Sequence, residues 1–427
     1  MDRYLIGYLK AASQNSLQTK YIDYFKVELD WFIYNYGDHV ANVLQLNKQL
    51  SWKIFVGLHL PNLNVSYGKV KQYSNMKNVL SSLHFLDKNI LLRLGFNPIS
   101  SIFQPVGNTQ IIKDTESFKM ICYKLNALAK GKFKDIYNQD FFEKLELLKN
   151  KTVKKYEKYN FGALLLYTDQ FFESKFLIEI FKILDRPSIV FSHGLPGIYS
   201  MEVDNRADYL MVWGDKIKQN YVNTGFNPDK LFVVGNPKYQ KINKVSALRN
   251  TLEDILVLPI GSFRWHQDTY GEPELYDRSM VILYLYKVQR VLERLGVRQA
   301  RFRPHPSIDK EWVYGFLDQG FYKIDKNDLK ESCLKSTLII GVTSTVFLEA
   351  LMYGVNYIVF EPKSSDNKNI MRCDLVPPFD GSEPNLEIAT SEAELEYLIK
   401  NKYQVDINIL DGYMKPLDLT VLKEIIK

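Results

Sequence analysis

Residues Gly341–Pro362 read GVTSTVFLEALMYGVNYIVFEP. Just ahead, the apolar run Ser336–Ile340 (STLII) ends in a turn of small residues, Gly341-Val342-Thr343-Ser344-Thr345. Apolar residues then recur at helical spacing over Val346–Tyr353, Gly354 stops the helix, and the β-branched run Tyr357–Phe360 follows. The order strand, hydroxyl-rich turn, helix, strand is that of a βαβ unit. In an open parallel sheet, ligands gather outside the carboxyl ends of the strands, where such turns lie. Backbone N–H groups at a helix start attract anions. Thr343, Ser344 and Thr345 add hydroxyl donors there, which suits the turn to a phosphate. Glu349, one helical turn beyond Thr345, is placed to take the hydroxyls of a ribose. A helix-capping Ser/Thr cluster with a solvated Glu accounts for the same turn equally well.

Outward from this unit the same alternation continues. Before it, Phe161–Tyr167, Ser188–Ser192, Tyr209–Trp213 and Leu231–Val234 read as buried strands separated by helical stretches. Ile255–Leu258 and Gln299–Arg303 continue the series on either side of a helix over Ser279–Leu295. After it, Leu386–Ala389 reads as a short last strand and Glu392–Lys400 and Leu417–Ile426 as helices. Closely spaced strands and helices predict an α/β fold of two Rossmann-like, doubly wound domains facing each other across a cleft. The polar stretch Lys241–Glu253 separates them, giving domains over 1–247 and 248–400 and a helical tail over 401–427. The first 120 residues are the least regular, with candidate strands at Trp52–His59 and Ile90–Leu94 and a helix over Tyr21–Tyr34.

Composition narrows the function classes. At 427 residues and 46% hydrophobic, the chain has ample material for two cores. A net charge of +6 is too small and dispersed to point to nucleic acid. The odd, scattered Cys122, Cys333 and Cys373 outline neither a disulfide framework nor a zinc cluster, which fits a reducing cytoplasm. The N-terminus lacks the apolar core of a signal peptide, and no run reaches the roughly 18 apolar residues of a spanning helix. Any membrane contact is therefore expected to be peripheral, at the inner face of the cell membrane. Lysines between Lys124 and Lys158, with Phe142, Leu145 and Leu148 at helical spacing, read as a solvated amphipathic helix before they read as a membrane patch.

Few residues are placed for chemistry. His193 ends one strand in SHGLPG, where an imidazole with a near-neutral pKa can act as a general base on an acceptor hydroxyl. Asp169, after FGALLLYT, is a second base candidate. His305-Pro306 follows Arg303 in a turn stiffened by prolines, suited to holding developing phosphate charge. Gly235-Asn236-Pro237-Lys238 and the Pro259-Ile260-Gly261-Ser262 turn are further strand-end candidates for phosphate, from Gly235, Asn236, Lys238, Gly261 and Ser262. Each of these turns has a purely structural alternative: a hydrogen-bonded turn histidine, or a β-turn with a solvated lysine. Dinucleotide-type and P-loop glycine patterns are absent, as are HExxH, paired CxxC and GxSxG, so no metal or cofactor is expected.

The order of these motifs resembles GT-B-fold glycosyltransferases over roughly residues 160–365. His305-Pro306 and Ser344-Thr345 are similar to the HP and SS/ST motifs of bacterial sialyltransferases and Kdo transferases. In those families the two motifs hold the phosphate of a CMP-sugar. His193-Gly194, Asp208-Tyr209, Val212-Trp213-Gly214 and Gly235-Asn236-Pro237-Lys238 resemble the teichoic-acid glycerol- or ribitol-phosphate polymerases. There an HG histidine serves the acceptor and an HP histidine the donor. The acidic-acidic-Gly motif of the sialyltransferases is missing, with Thr168-Asp169-Gln170 a loose substitute. UDP-N-acetylglucosamine 2-epimerases share the fold and the GN turn, but their catalytic histidine-arginine stretch is absent. The resemblance implies an inverting, metal-independent transferase of bacterial surface-polysaccharide synthesis. Its partners would be a nucleotide-sugar donor and a glycan or lipid-linked glycan acceptor. A CDP-glycerol/ribitol phosphotransferase, a UDP-sugar transferase and a non-catalytic glycan-binding scaffold are the alternatives.

Overall fold

The computed structural model describes residues 10–25 (save 14), 75–101, 109–112, 116–120 (save 118), 139–199, 207–239, 241–242, 245–259, 279–304, 310–364 and 375–426. Its strands form two sheets, and every strand pairing among the described residues is parallel. The first contains β1 (Lys77–Ser81), β2 (Phe96–Ser100), β3 (Gln110–Ile111), β4 (Phe161–Leu166), β5 (Ser188–Phe191), β6 (Tyr209–Val212) and β7 (Leu231–Val233). Its order is β3-β2-β1-β4-β5-β6-β7. The second contains β8 (Ile255–Leu258), β9 (Ala300–Phe302), β10 (Tyr322–Ile324), β11 (Leu338–Gly341), β12 (Tyr357–Phe360) and β13 (Ile388–Ala389), in the order β10-β9-β8-β11-β12-β13. Both begin 3-2-1-4-5-6 when counted within their own domain, the doubly wound Rossmann order. Two Rossmann-like domains are thus present, the expected GT-B architecture.

The strands are buried on both faces because helices cover both sides, which is why they read as continuous apolar runs rather than alternating ones. The amphipathic helix Gln139–Tyr156 turns Phe142, Leu145 and Leu148 into the first core, as its spacing predicts. Sequence reasoning fails at Ile90–Leu94. Ile90–Arg93 lie in the helix Lys88–Arg93, with Leu94 at its C-terminal cap; the Asp87 side chain caps its start on the Asn89 amide at 2.9 Å, and the strands flank it as β1 and β2. An Asp cap outweighed the apolar run. The expected strand Trp52–His59 lies outside the described residues, as does most of the expected helix Tyr21–Tyr34. The described part of the latter is the helix Ser16–Tyr24.

Beyond the helix Glu392–Lys400, the chain crosses back to the first domain. Asn236 N–H donates to Lys415 O at 2.9 Å, Lys415 N–H to Trp213 O at 2.8 Å, and Asp418 N–H to Val234 O at 2.8 Å. Leu419, Leu422 and Ile426 then enter the apolar cluster of Val79, Phe96, Ile189 and Phe191. This strap explains two glycines. A methyl on Gly214 would overlap the Gly412 carbonyl, and one on Gly235, whose φ is +80°, would overlap the Pro416 carbonyl. No helix among the described residues is long and apolar enough to cross a membrane.

Candidate functional site

The two domains meet along one stripe of the helix Val346–Met352 and its flanks. Thr345, Glu349 and Tyr353 recur every four residues and so share a face. Between them they touch two strand ends of the first domain. Thr345 Oγ1 accepts the Leu195 N–H at 2.8 Å, beyond β5. Glu349 Oε1 accepts from Lys238 Nζ at 3.1 Å, beyond β7. The Tyr353 and Tyr239 hydroxyls lie 2.8 Å apart. Sequence analysis picked Thr345, Glu349, Lys238 and His193 on separate grounds, and the fold brings all four to this seam.

His193 is held from beneath. At the end of β5, Ser192 N–H donates to Met211 O at 2.9 Å, and the indole of Trp213 donates to Ser192 O at 2.8 Å. The imidazole lies beside the backbone of Tyr167, at the end of the adjacent β4. The ring reaches solvent but sits deep among protein atoms. Burial pushes its pKa below the ordinary value, the Tyr167 carbonyl opposes this, and His84 and Lys238 add to the depression. A neutral imidazole is the form a general base needs. Gly194 is required here because a methyl would overlap Thr345 Oγ1.

On the opposite side, Gly341 leaves room for the Tyr357 hydroxyl, which donates to Val342 O at 2.6 Å and fixes the end of β11. The Thr343 N–H donates to the buried Glu361 Oε1 at 2.7 Å. The three hydroxyls of the turn then differ in their duties. Ser344 Oγ accepts the Val346 N–H at 3.2 Å and caps the helix. Thr345 makes no side-chain cap and faces Leu195 instead. Thr343 Oγ1 is buried without a hydrogen-bond partner, an unspent donor and acceptor at the strand end.

Other candidates stand apart from this seam. Asp169 is buried and accepts the Ala207 N–H at 3.4 Å, so it supports a loop rather than opening onto the cleft. The Gly235-Asn236 turn carries the C-terminal strap: the Asn236 amide is committed to Lys415, and its Oδ1 accepts the Lys238 N–H at 2.9 Å. Of that motif, Lys238 alone extends toward the other domain. Arg303 donates its guanidinium to Asn327 O and to Ser332 Oγ, within the second domain. His305, Pro306, Gly261 and Ser262 lie outside the described residues.

Three participants had escaped sequence reasoning: the Tyr167 carbonyl, the Leu195 amide and His84. Backbone groups leave no signature in a sequence. His84 follows β1, a strand hidden in the short run Lys77–Ser81, and its ring packs edge-on against Tyr167 at 5.1 Å.

No protein-family model matches the chain, and no curated protein does. Solved structures do resemble it. A UDP-GlcNAc 2-epimerase from Neisseria meningitidis bound to UDP-GlcNAc is 10% identical over 82% of this chain and 98% of its own, with a TM-score of 0.46. An S. aureus MnaA–UDP co-structure is 12% identical over 82% and 94%, at 0.48. The lipopolysaccharide outer core galactosyltransferase WaaB is 11% identical over 82% and 97%, at 0.43. The fold assignment rests on the strand orders above rather than on these distant likenesses.

Proposed function

We propose that the chain is an inverting glycosyltransferase that moves a sugar from a nucleotide donor to a hydroxyl of a bacterial surface glycan. One observation carries this reading: the turn bearing His193, whose pKa is lowered by burial, abuts the hydroxyl turn Thr343–Thr345 of the second domain. The free nitrogen of His193 takes the acceptor proton as the acceptor oxygen attacks the anomeric carbon. The bond from that carbon to the donor phosphate breaks, and its electron pair leaves with the nucleotide. A single displacement inverts the anomeric centre. Charge developing on the leaving phosphate would be met by the hydroxyl turn of the second domain and, as the HP motif implies, by His305. Closure along the 345/349/353 stripe keeps water from the donor. Transfer would occur at the cytoplasmic face of the cell membrane, without a metal.

The HP and ST motifs favour a CMP-sugar, with sialic acid or Kdo as the sugar. A UDP-sugar donor and a CDP-glycerol-type phosphotransfer are the competing chemistries. Calorimetry with CMP, CDP and UDP separates them, since tight binding of one identifies the donor base. Binding of none removes the transferase reading and leaves a glycan-binding scaffold on the same fold.

A further inference from the structure

We infer that Thr345 is a positioning residue for His193, acting across the domain boundary, and not a ligand of the donor phosphate. The inference rests on the transferase reading and refines one of its residues. The Thr345 hydroxyl accepts the Leu195 N–H at 2.8 Å, two residues from the imidazole. Gly194 lies flush against that hydroxyl, with no space for a methyl between them. The turn 193–195 is therefore clamped at both ends. On one side, the Trp213 indole holds Ser192 O and the Met211 carbonyl holds Ser192 N–H. On the other, a side chain of the second domain holds Leu195.

Thr345 is also the turn hydroxyl that neither caps its helix nor remains unpartnered, because Ser344 does the first and Thr343 the second. The division leaves phosphate contact to other groups of the turn. It also has a mechanistic consequence. Glu349 and Tyr353, on the same helical face, make the neighbouring interdomain bonds, so all three form or break together as the domains close or open. The imidazole is fully aligned only when the donor turn is docked, which ties proton removal to a closed, water-excluding cleft.

The test uses the full chain with two readouts, imidazole nitrogen NMR of His193 across pH and calorimetry with CMP, CDP and UDP. Thr345→Val keeps the shape and removes the acceptor. It should shift the His193 resonances and raise their titration midpoint toward the ordinary histidine value, while nucleotide affinity stays within about twofold. Thr345→Ser should restore the wild-type titration. Gly194→Ala, which pushes the turn off Thr345 from the other side, should reproduce the Val phenotype. A loss of affinity of about tenfold in Thr345→Val with His193 unmoved would make Thr345 a phosphate ligand and overturn the inference. An unmoved His193 with unchanged affinity overturns it equally. Failure of the wild type to bind any nucleotide would instead sink the transferase reading, and the His193 readout would still decide whether Thr345 clamps the turn.

Discussion

The Leu195 N–H donates to Thr345 Oγ1 at 2.8 Å, across 150 residues of chain and from one Rossmann-like domain to the other. This bond joins the two halves of the reaction scheme, since Leu195 belongs to the His193 turn and Thr345 to the hydroxyl turn. The interdomain seam and the candidate site are one structure.

Replacing the base should separate chemistry from binding. His193→Ala is expected to lower kcat by roughly 10²- to 10⁴-fold, the usual worth of a general base, with nucleotide affinity unchanged. A base whose pKa is depressed stays neutral to lower pH. The acid limb of the wild-type rate profile should accordingly fall below the ordinary histidine value of about 6.5. An acid limb above that value would assign proton removal to another group.

Chelation should not matter. With phosphate charge met by side-chain donors, EDTA is expected to leave transfer intact. Activity lost on chelation and regained with Mg²⁺ would place a metal at the donor phosphate instead.

The Lys238–Glu349 pair bridges the domains with unequal burial, the lysine half-exposed and the carboxylate nearly enclosed. Lys238→Met strands that carboxylate and should cost about 1–2 kcal/mol after allowance for solvent, a fall in thermal midpoint of about 2–4 °C. Adding Glu349→Gln should recover part of the loss in a double-mutant cycle. Simple additivity of the two changes would show the pair to be uncoupled.

A second ionic cluster anchors the helix Ser16–Tyr24. Glu179 accepts from Lys20, Lys149 at 2.7 Å and the Tyr24 hydroxyl, while Glu146 takes Lys20 and the Tyr21 hydroxyl. Burial pushes both carboxyls up, but the bonds from Lys149, with Tyr21 on Glu146 and Lys20 on Glu179, outweigh it and hold both below the ordinary range. Because the folded pKa values are depressed, this stabilisation is full above the unfolded value of about 4.5 and fades as pH falls through the folded values. Glu179→Gln leaves two ammonium groups with one carboxylate and should cost about 2–4 kcal/mol near neutral pH. The difference from wild type should shrink when both are melted below pH 4. A difference that persists undiminished in acid would mean that packing, not charge, holds the helix.

Gly235→Ala tests the C-terminal strap. The residue has φ +80° and no room beside the Pro416 carbonyl, so the change brings both strain and overlap. A loss of about 1–3 kcal/mol and faster proteolysis near residues 414–426 are expected. Unchanged proteolysis would show the strap to be held elsewhere.

The strand runs β4 to β9, β11 and β12 and the α/β class were legible because doubly covered parallel strands must be apolar throughout, a property each segment carries alone; the three-residue β10 was missed, and the helix expected from Leu417 begins only at Leu422. Ile90–Leu94 was misread where a single Asp cap decided between two local structures. At the site, sequence separated the chemistry-bearing residue types from the background: His193, Lys238 and Thr345 were marked by strand-end placement and Glu349 by its position one helical turn beyond Thr345. Their division of labour was not. That Asn236 serves the strap, that Asp169 faces a loop, and that Thr345 meets Leu195 while Ser344 caps depend on contacts between residues up to 180 positions apart. Local periodicity fixes which face a residue takes. The partner that arrives at that face is set by how two separately folded sheets dock, and only the tertiary structure contains that information.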